Sequence, residues 1–491
     1  MQDILRDTGS DLDTFRVHPS PSITVQRRIS PRIAVQRRSS SPIIVYHRRH
    51  AGTGPTQEGG MGTILDYAER ERHGFDERPF NAVDALILSS LAYQDMPDTV
   101  ADLAGVQRRY STVRSRLRLI DPMHPIATWR MLRRPPFPGT RLDALTERLE
   151  HREFVEGRGH KGLADPRLTK ALYARVGRNP RFAGIEVAAF DRRFSAEHQT
   201  QFAAETFRLP DGTLAIAFQG TDDSFVGWKE DFNMAFQYPV PAQESAADYL
   251  ASVATLWQGP IMLMGHSKGG NLAVYAALHA SGDLDARITR VYSLDGPGFP
   301  EEVVCGERYR SLISRIDKIV PSSSIVGMIL ETPEPSRVVQ SDQRGIMQHL
   351  AFSWQVEGDG FVELPAVSPG SRYFNTSLNT WLRGMSTEQR HRTVDALFSV
   401  LHATGAEGFT TMMASFPRVL PEMIGRFAGL SDEDRRNILF AANLLIRARF
   451  DHTFRGTQHI SGDDAADSVT PASVPVHPTG GAPSGPVPTA S

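Results

Sequence analysis

The segment that most constrains this chain is the apolar run Ile261-Met262-Leu263-Met264, which enters Gly265-His266-Ser267-Lys268-Gly269-Gly270 and continues as Asn271-Leu272-Ala273-Val274-Tyr275-Ala276-Ala277-Leu278. A short apolar run ending at glycine reads as a buried strand, and the longer run after it as a helix. The turn between them must be sharp, and Gly265, Gly269 and Gly270 supply the small residues that a strained, closely packed backbone needs. The G-x-S-x-G pattern in this setting places Ser267 at the apex of a strand-to-helix turn. There the amide of Lys268 can face a developing oxyanion, and the helix dipole favours negative charge. The plainer reading is a glycine-rich loop whose serine binds a phosphate or nothing.

The surrounding pattern extends this unit into a sheet. From about residue 185 the apolar period is two, predicting strands over 185–190, 200–209 and 214–218, with Pro210-Asp211-Gly212 as a hairpin turn. A helix over 244–257, the strand 261–264, a helix over 271–280 and a strand over 288–294 follow. Strand alternating with helix at this spacing predicts an α/β fold with a doubly wound, mostly parallel sheet. Helical additions are expected on both sides. Asn81 to Tyr93 reads as a capped amphipathic helix, while Ser386 with Gln389 and Ser431 with Asp434 resemble capping boxes. Residues 107–160 are rich in arginine and read as a surface excursion, with a solvated face favoured over nucleic-acid contact.

The ends differ in composition. Around 17–50, Pro21, Ile23, Val25 and Arg27-Arg28 recur ten residues later as Pro31, Ile33, Val35 and Arg37-Arg38, too short a repeat to close a solenoid. The expected organisation is a disordered basic arm over 1–60, an α/β domain over 61–385, a helical segment over 386–455 and a disordered Pro/Ser/Gly/Ala-rich tail over 456–491. Patterned sequence begins at Met61, which raises the expectation that translation starts there. A net charge of -2 over 491 residues gives no global reason to expect nucleic acid as the partner. The single cysteine, Cys305, excludes an intramolecular disulfide and a multi-cysteine metal site. No apolar run reaches the ~20 residues of a membrane span, so a cytoplasmic protein is expected, with transient contact at a membrane surface left open and the oligomeric state undetermined.

Upstream of the elbow, the strand 214–218 ends in Gln219-Gly220-Thr221-Asp222-Asp223-Ser224, followed by Trp228 and Asp231. Together with the elbow, this resembles the class 3 (fungal-type) lipases of the α/β-hydrolase superfamily, which place Arg-Gly-Ser/Thr and Trp-x-x-Asp ahead of the nucleophile strand. The chain is also similar to an uncharacterised bacterial lipase-like family carrying the motifs at residues 220–224, 227–232, 265–271, 295–299, 324–328 and 348–349, a resemblance that covers about 61–385. It implies Thr221 as a second oxyanion donor, by its amide and with its hydroxyl as a further donor. Gln219 stands where the lipases carry arginine. It also implies that the apolar strip Phe225 to Tyr238 lines an acyl pocket or a lid, although a buried structural strip would look the same.

The acid of such a triad belongs at a strand end after the nucleophile helix, and the histidine after the acid. Asp295, closing the strand 291–295 before Gly296-Pro297-Gly298, is favoured. Asp317 is the alternative, resembling a lipase Asp-Ile-Val-Pro segment but one residue out of register, which on a strand reverses the side chain. Of 16 histidines, His349 follows both acids in a loop entering an apolar stretch. His266, adjacent to Ser267, is assigned to packing or hydrogen bonding. The expected activity is hydrolysis of a carboxylic ester or thioester, of a lipid or another small acyl compound, through an acyl-enzyme on Ser267, with no metal or cofactor. The alternative of another class is a non-catalytic binding or scaffolding module on the same fold.

Overall fold

The computed structural model describes residues 61–152, 162 and 165–450. The repeat of residues 17–50, the arm over 1–60 and the tail over 456–491 lie outside the described residues. The strands are β1 (Thr140–Arg141), β2 (Glu186–Ser195), β3 (Thr200–Arg208), β4 (Leu214–Phe218), β5 (Ile261–His266), β6 (Ile288–Leu294), β7 (Ile316–Pro321), β8 (Ser336–Val339), β9 (Val356–Glu357), β10 (Gly360–Phe361) and β11 (Glu363–Leu364). Nine of them make one sheet in the order β1-β2-β3-β4-β5-β6-β7-β8-β11, and β9 pairs with β10 in a separate two-stranded sheet. The run from β4 to β8 is parallel, and antiparallel strands flank it on both sides. The fold is α/β.

Period-two alternation feeds two cores. Leu214, Ile216 and Phe218 of β4 and Ile261 and Leu263 of β5 face the crossover helices Pro241–Leu256 and Lys268–His279. Ala215, Ala217, Met262 and Met264 face the opposite way, where the helix Ala82–Leu91 covers them and the helices Ile64–Arg70 and Pro166–Arg178 pack against it in the same core. Both faces of the sheet carry helices, as parallel strands require. The strands run in sequence order across β4 to β8, so the second layer comes from the chain that precedes β2.

Local chemistry explains where the elements differ from their predicted bounds. β2 runs on to Ser195 through a register shift between Ala188 and Asp191, with Ala189 at φ 55°. The first crossover helix starts at Pro241, because proline suits the first helical position. The helix behind Asn81 is capped as expected, but all ten of its residues are buried. The arginine-rich stretch holds the helices Leu103–Tyr110, Val113–Leu117, Pro125–Arg133 and Leu142–Arg152. The Ser386–Gln389 capping box opens the helix Thr387–His402, and Ser431 accepts from the Asp434 amide at the start of Asp432–Phe450.

Candidate functional site

Of the six positions singled out from the sequence, Thr221, Ser267, Lys268, Asp295 and His349 lie where β4, β5, β6 and the chain after β8 reach the carboxyl edge of the parallel strands, which is where ligands bind in open α/β sheets. Ser267 sits just past β5 at φ 60° and ψ -135°, a strained conformation for a residue with a side chain. Its amide donates to the Leu294 carbonyl at 2.9 Å, and its carbonyl accepts from the Gly270 amide at 2.9 Å, so the turn is pinned on both sides. A Cβ at Gly265 would collide with the Gly269 backbone, and one at Gly269 with the Phe218 carbonyl. The glycines of the elbow are therefore fixed by close approach of backbone to backbone. Ser267 does not spend its hydroxyl on capping the following helix.

Asp295 closes β6 and is likewise held at positive φ, 51°. It is fully buried, and its carboxylate is cradled by the Ser324 hydroxyl, by the Gly327 amide at 3.1 Å and by His349 Nδ1 at 2.6 Å. Burial works to raise the pKa, but the hydrogen bond and charge of His349 and the Ser324 hydroxyl outweigh it and hold the carboxyl below the usual range. Asp317 goes elsewhere: it lies in β7, one strand over, and pairs with Arg337 at 3.0 Å. The two aspartates left open by the sequence are thus separated by geometry, with only Asp295 reaching the histidine.

His349 ends a short 3-10 turn, Gly345–His349, and is held from behind. Its carbonyl meets His266 Nε2 at 2.7 Å, and the two rings lie 4.7 Å apart. A carbonyl can only accept, so Nε2 of His266 carries the proton and Nδ1 is left to accept from the Tyr93 hydroxyl at 3.2 Å. Burial, with His349 nearby, lowers the His266 pKa to about 3, so this ring is neutral in any ordinary buffer and fixed in one tautomer. Packing and hydrogen bonding describe His266 correctly, and its contact is to the candidate base itself.

The candidate oxyanion side is built from β4. Phe218 pairs with Gly265, so Gly220 and Thr221 emerge beside the elbow, and a Cβ on Gly220 would come within 3.0 Å of the Ser267 Cβ. The Thr221 hydroxyl donates to Asp231, which leaves its amide as the group able to face the serine. Lys268 occupies the first helical position, whose amide the helix leaves without an internal partner. Its side chain turns the other way, into the interior, where Nζ donates to the Gln201 carbonyl at 2.8 Å, Gln201 Oε1 at 2.7 Å and Glu230 Oε2 at 3.0 Å. Burial opposes the charge on Lys268, yet Glu230 and Asp231 outweigh it and raise its pKa. Burial pushes the Asp231 carboxyl up to about 6 against the pull of Lys268 and Thr221.

Several supporting residues carry no assignment from sequence. Ser324 and Gly327 lie within a motif at 324–328, and Glu230 within the motif at 227–232, to which no role was attached for these residues, while Gln201 carries no local signal at all. A clamp joins the loop beside Thr221 to the C-terminal helices. Ser224 bridges Gly408, the Phe225 amide donates to the Glu407 carbonyl at 2.9 Å, and the Phe409 amide to the Asp223 carbonyl at 3.1 Å. The Asp223 carboxylate then caps the helix Phe409–Ala428, accepting from the Thr410 amide at 3.0 Å and hydroxyl at 2.9 Å. Phe225 packs against Val394, Phe398, Leu401 and Met412, with Trp228 and Phe409 alongside. This part of the 225–238 strip is a packed seam under the C-terminal helices.

Residues 176–399 match the family model described as Mbeg1-like, a little under half of the chain and a span that contains Ser267, Asp295 and His349. No curated protein and no solved structure matches the chain. Among the described residues, no group of His, Cys, Asp and Glu side chains gathers as metal ligands would. No described helix is long and apolar enough to cross a membrane.

Proposed function

We propose that the chain is a serine hydrolase that cleaves a carboxylic ester or thioester, with Ser267 as nucleophile, His349 as general base and Asp295 as the residue that orients the imidazole. The observation that carries this reading is the 2.6 Å contact between His349 Nδ1 and the buried Asp295 carboxylate, beside a serine held at positive φ between strand and helix. With Nδ1–H bound to Asp295, Nε2 is the free nitrogen, in the tautomer required to take a proton from a serine hydroxyl. Ser267 Oγ would attack the acyl carbonyl as its proton passes to His349 Nε2. The charge developing on the carbonyl oxygen would fall to the amides of Lys268 and Thr221 at the dipole end of the helix. His349 would return the proton to the leaving group, and water activated by the same nitrogen would release the acyl group from Ser267.

Labelling with a fluorophosphonate probe tests the proposal, comparing the wild type with Ser267→Ala and His349→Ala. Loss of labelling in both variants is the expected result. A folded wild type that fails to label, and fails to release p-nitrophenol from short- and medium-chain esters, would overturn it in favour of a binding module on this fold.

A further inference from the structure

We propose that residues 107–134 form a docking surface for an anionic lipid bilayer. Two observations meet there. The first is charge: the segment carries eight arginines and a single carboxylate, Asp121, in a chain whose overall net charge is only -2. Asp121 is turned to local use, accepting from its own helix-start partner His124 at 2.7 Å. The second is exposed apolar surface. Val113, Leu117, Ile120, Met123, Ile126 and Trp129 all stand in solvent, Met123 at 83% and Trp129 at 56% exposure. In the helix Pro125–Arg133 the spacing Ile126, Trp129, Arg130, Arg133 puts apolar and cationic side chains on one face, and the Arg133 guanidinium lies 4.9 Å from the centre of the Trp129 ring.

The outward set is not an accident of a loosely attached loop. Leu119 and Met131 turn inward against the core beneath, and Arg116 of the helix Val113–Leu117 donates to the Leu132 carbonyl at 2.8 Å, tying the two short helices together. The occupant follows from pairing the two properties. A nucleic acid would satisfy the arginines but leave six large apolar side chains in water. A second copy of the chain would bring the same arginine-rich face against itself. A bilayer interface with anionic headgroups takes both, receiving aliphatic and indole groups at the headgroup level and pairing guanidinium with phosphate.

The test uses the full-length protein and sedimentation with vesicles of phosphatidylcholine alone or with one-third phosphatidylserine. Binding stronger by about tenfold or more on the anionic vesicles is expected, falling by a similar factor in the triple variant Arg130→Glu, Arg133→Glu, Arg134→Glu. The chain has five tryptophans, so insertion is read as a blue shift of emission on anionic vesicles that is lost in Trp129→Phe. Ser267→Ala should bind as the wild type does, which separates this surface from the catalytic reading. Equal binding to neutral vesicles, absence of a Trp129-dependent shift, or tighter binding to a duplex oligonucleotide than to the anionic vesicles would each overturn the proposal. Unchanged far-UV circular dichroism in the triple variant shows that a loss of binding is not a loss of fold.

Discussion

Lys268 offers the sharpest separation of side-chain from main-chain roles. Replacing it with methionine keeps the helix position, and therefore the amide beside Ser267, while deleting an ammonium that is 1% exposed and donates to three acceptors. Glu230 is left fully buried. It keeps the amides of Gln201 at 2.9 Å and Ala242 at 2.8 Å, so its carboxylate is not stripped of all donors, but its counter-ion is gone. Breaking a buried pair from one side costs about 3–5 kcal/mol. Urea unfolding followed by tryptophan fluorescence should show a loss in that range for Lys268→Met, whereas Lys268→Met with Glu230→Gln should lose less than the sum, with a coupling of about 1 kcal/mol or more.

The loss should also depend on pH. Asp231 already has its pKa pushed up to about 6 with Lys268 3.7 Å away, and removing the ammonium raises it further. A carboxyl whose folded pKa lies above its unfolded value binds more protons in the native state, so stability falls as pH rises from about 4 through the folded pKa. Lys268→Met is therefore expected to be less destabilised at pH 5 than at pH 8. Its fluorophosphonate labelling per folded molecule should stay close to wild type, since the amide is unchanged. A loss of stability under about 1 kcal/mol, or strict additivity in the double variant, would refute the idea that this ammonium holds the floor of the site.

Three further substitutions probe other parts. Asp317→Asn removes a partly exposed pair with Arg337 and should cost under about 1 kcal/mol with labelling intact, whereas Asp295→Asn should cut the labelling rate at pH 7 by orders of magnitude through the wrong His349 tautomer. Gly220→Ala drives a methyl into the Tyr93 hydroxyl and to 2.6 Å from the His266 carbonyl, so the melting temperature should drop by the equivalent of about 1–3 kcal/mol and labelling should fall with it. Asp223→Ala removes the cap on Thr410 and should cost about 1 kcal/mol in unfolding experiments, with faster amide exchange in peptides covering 219–228.

How much of this was legible in the sequence depended on the range of each interaction. The elbow, its strand and its helix are written in consecutive residues, because close backbone approach selects glycine at Gly265 and Gly269 whatever lies far away. The order of Ser267, Asp295 and His349 was readable for the same reason, as strand ends follow one another along the chain. The choice between Asp295 and Asp317 was not settled by local pattern; contact with His349 and the Ser324–Gly327 cradle comes from separate loops. The buried destination of the Lys268 side chain was invisible, since Gln201 lies 67 positions away. The 225–238 strip was readable as apolar, but whether it opened to a ligand or closed against Phe398 and Met412 depended on a helix segment more than 150 residues later.

The sheet's second face has a consequence for synthesis on the ribosome. Helix Ala82–Leu91 has no solvent side, and it packs on β5, which leaves the ribosome about 170 residues after it. At ~5–20 residues per second, that wait is on the order of ten to thirty seconds. Through that interval a segment with seven apolar residues in ten lacks the strand it packs on most. A nascent chain halted before residue 261 should therefore be a preferred client of chaperones that hold extended apolar segments, and release should follow once β4, β5 and β6 have emerged together.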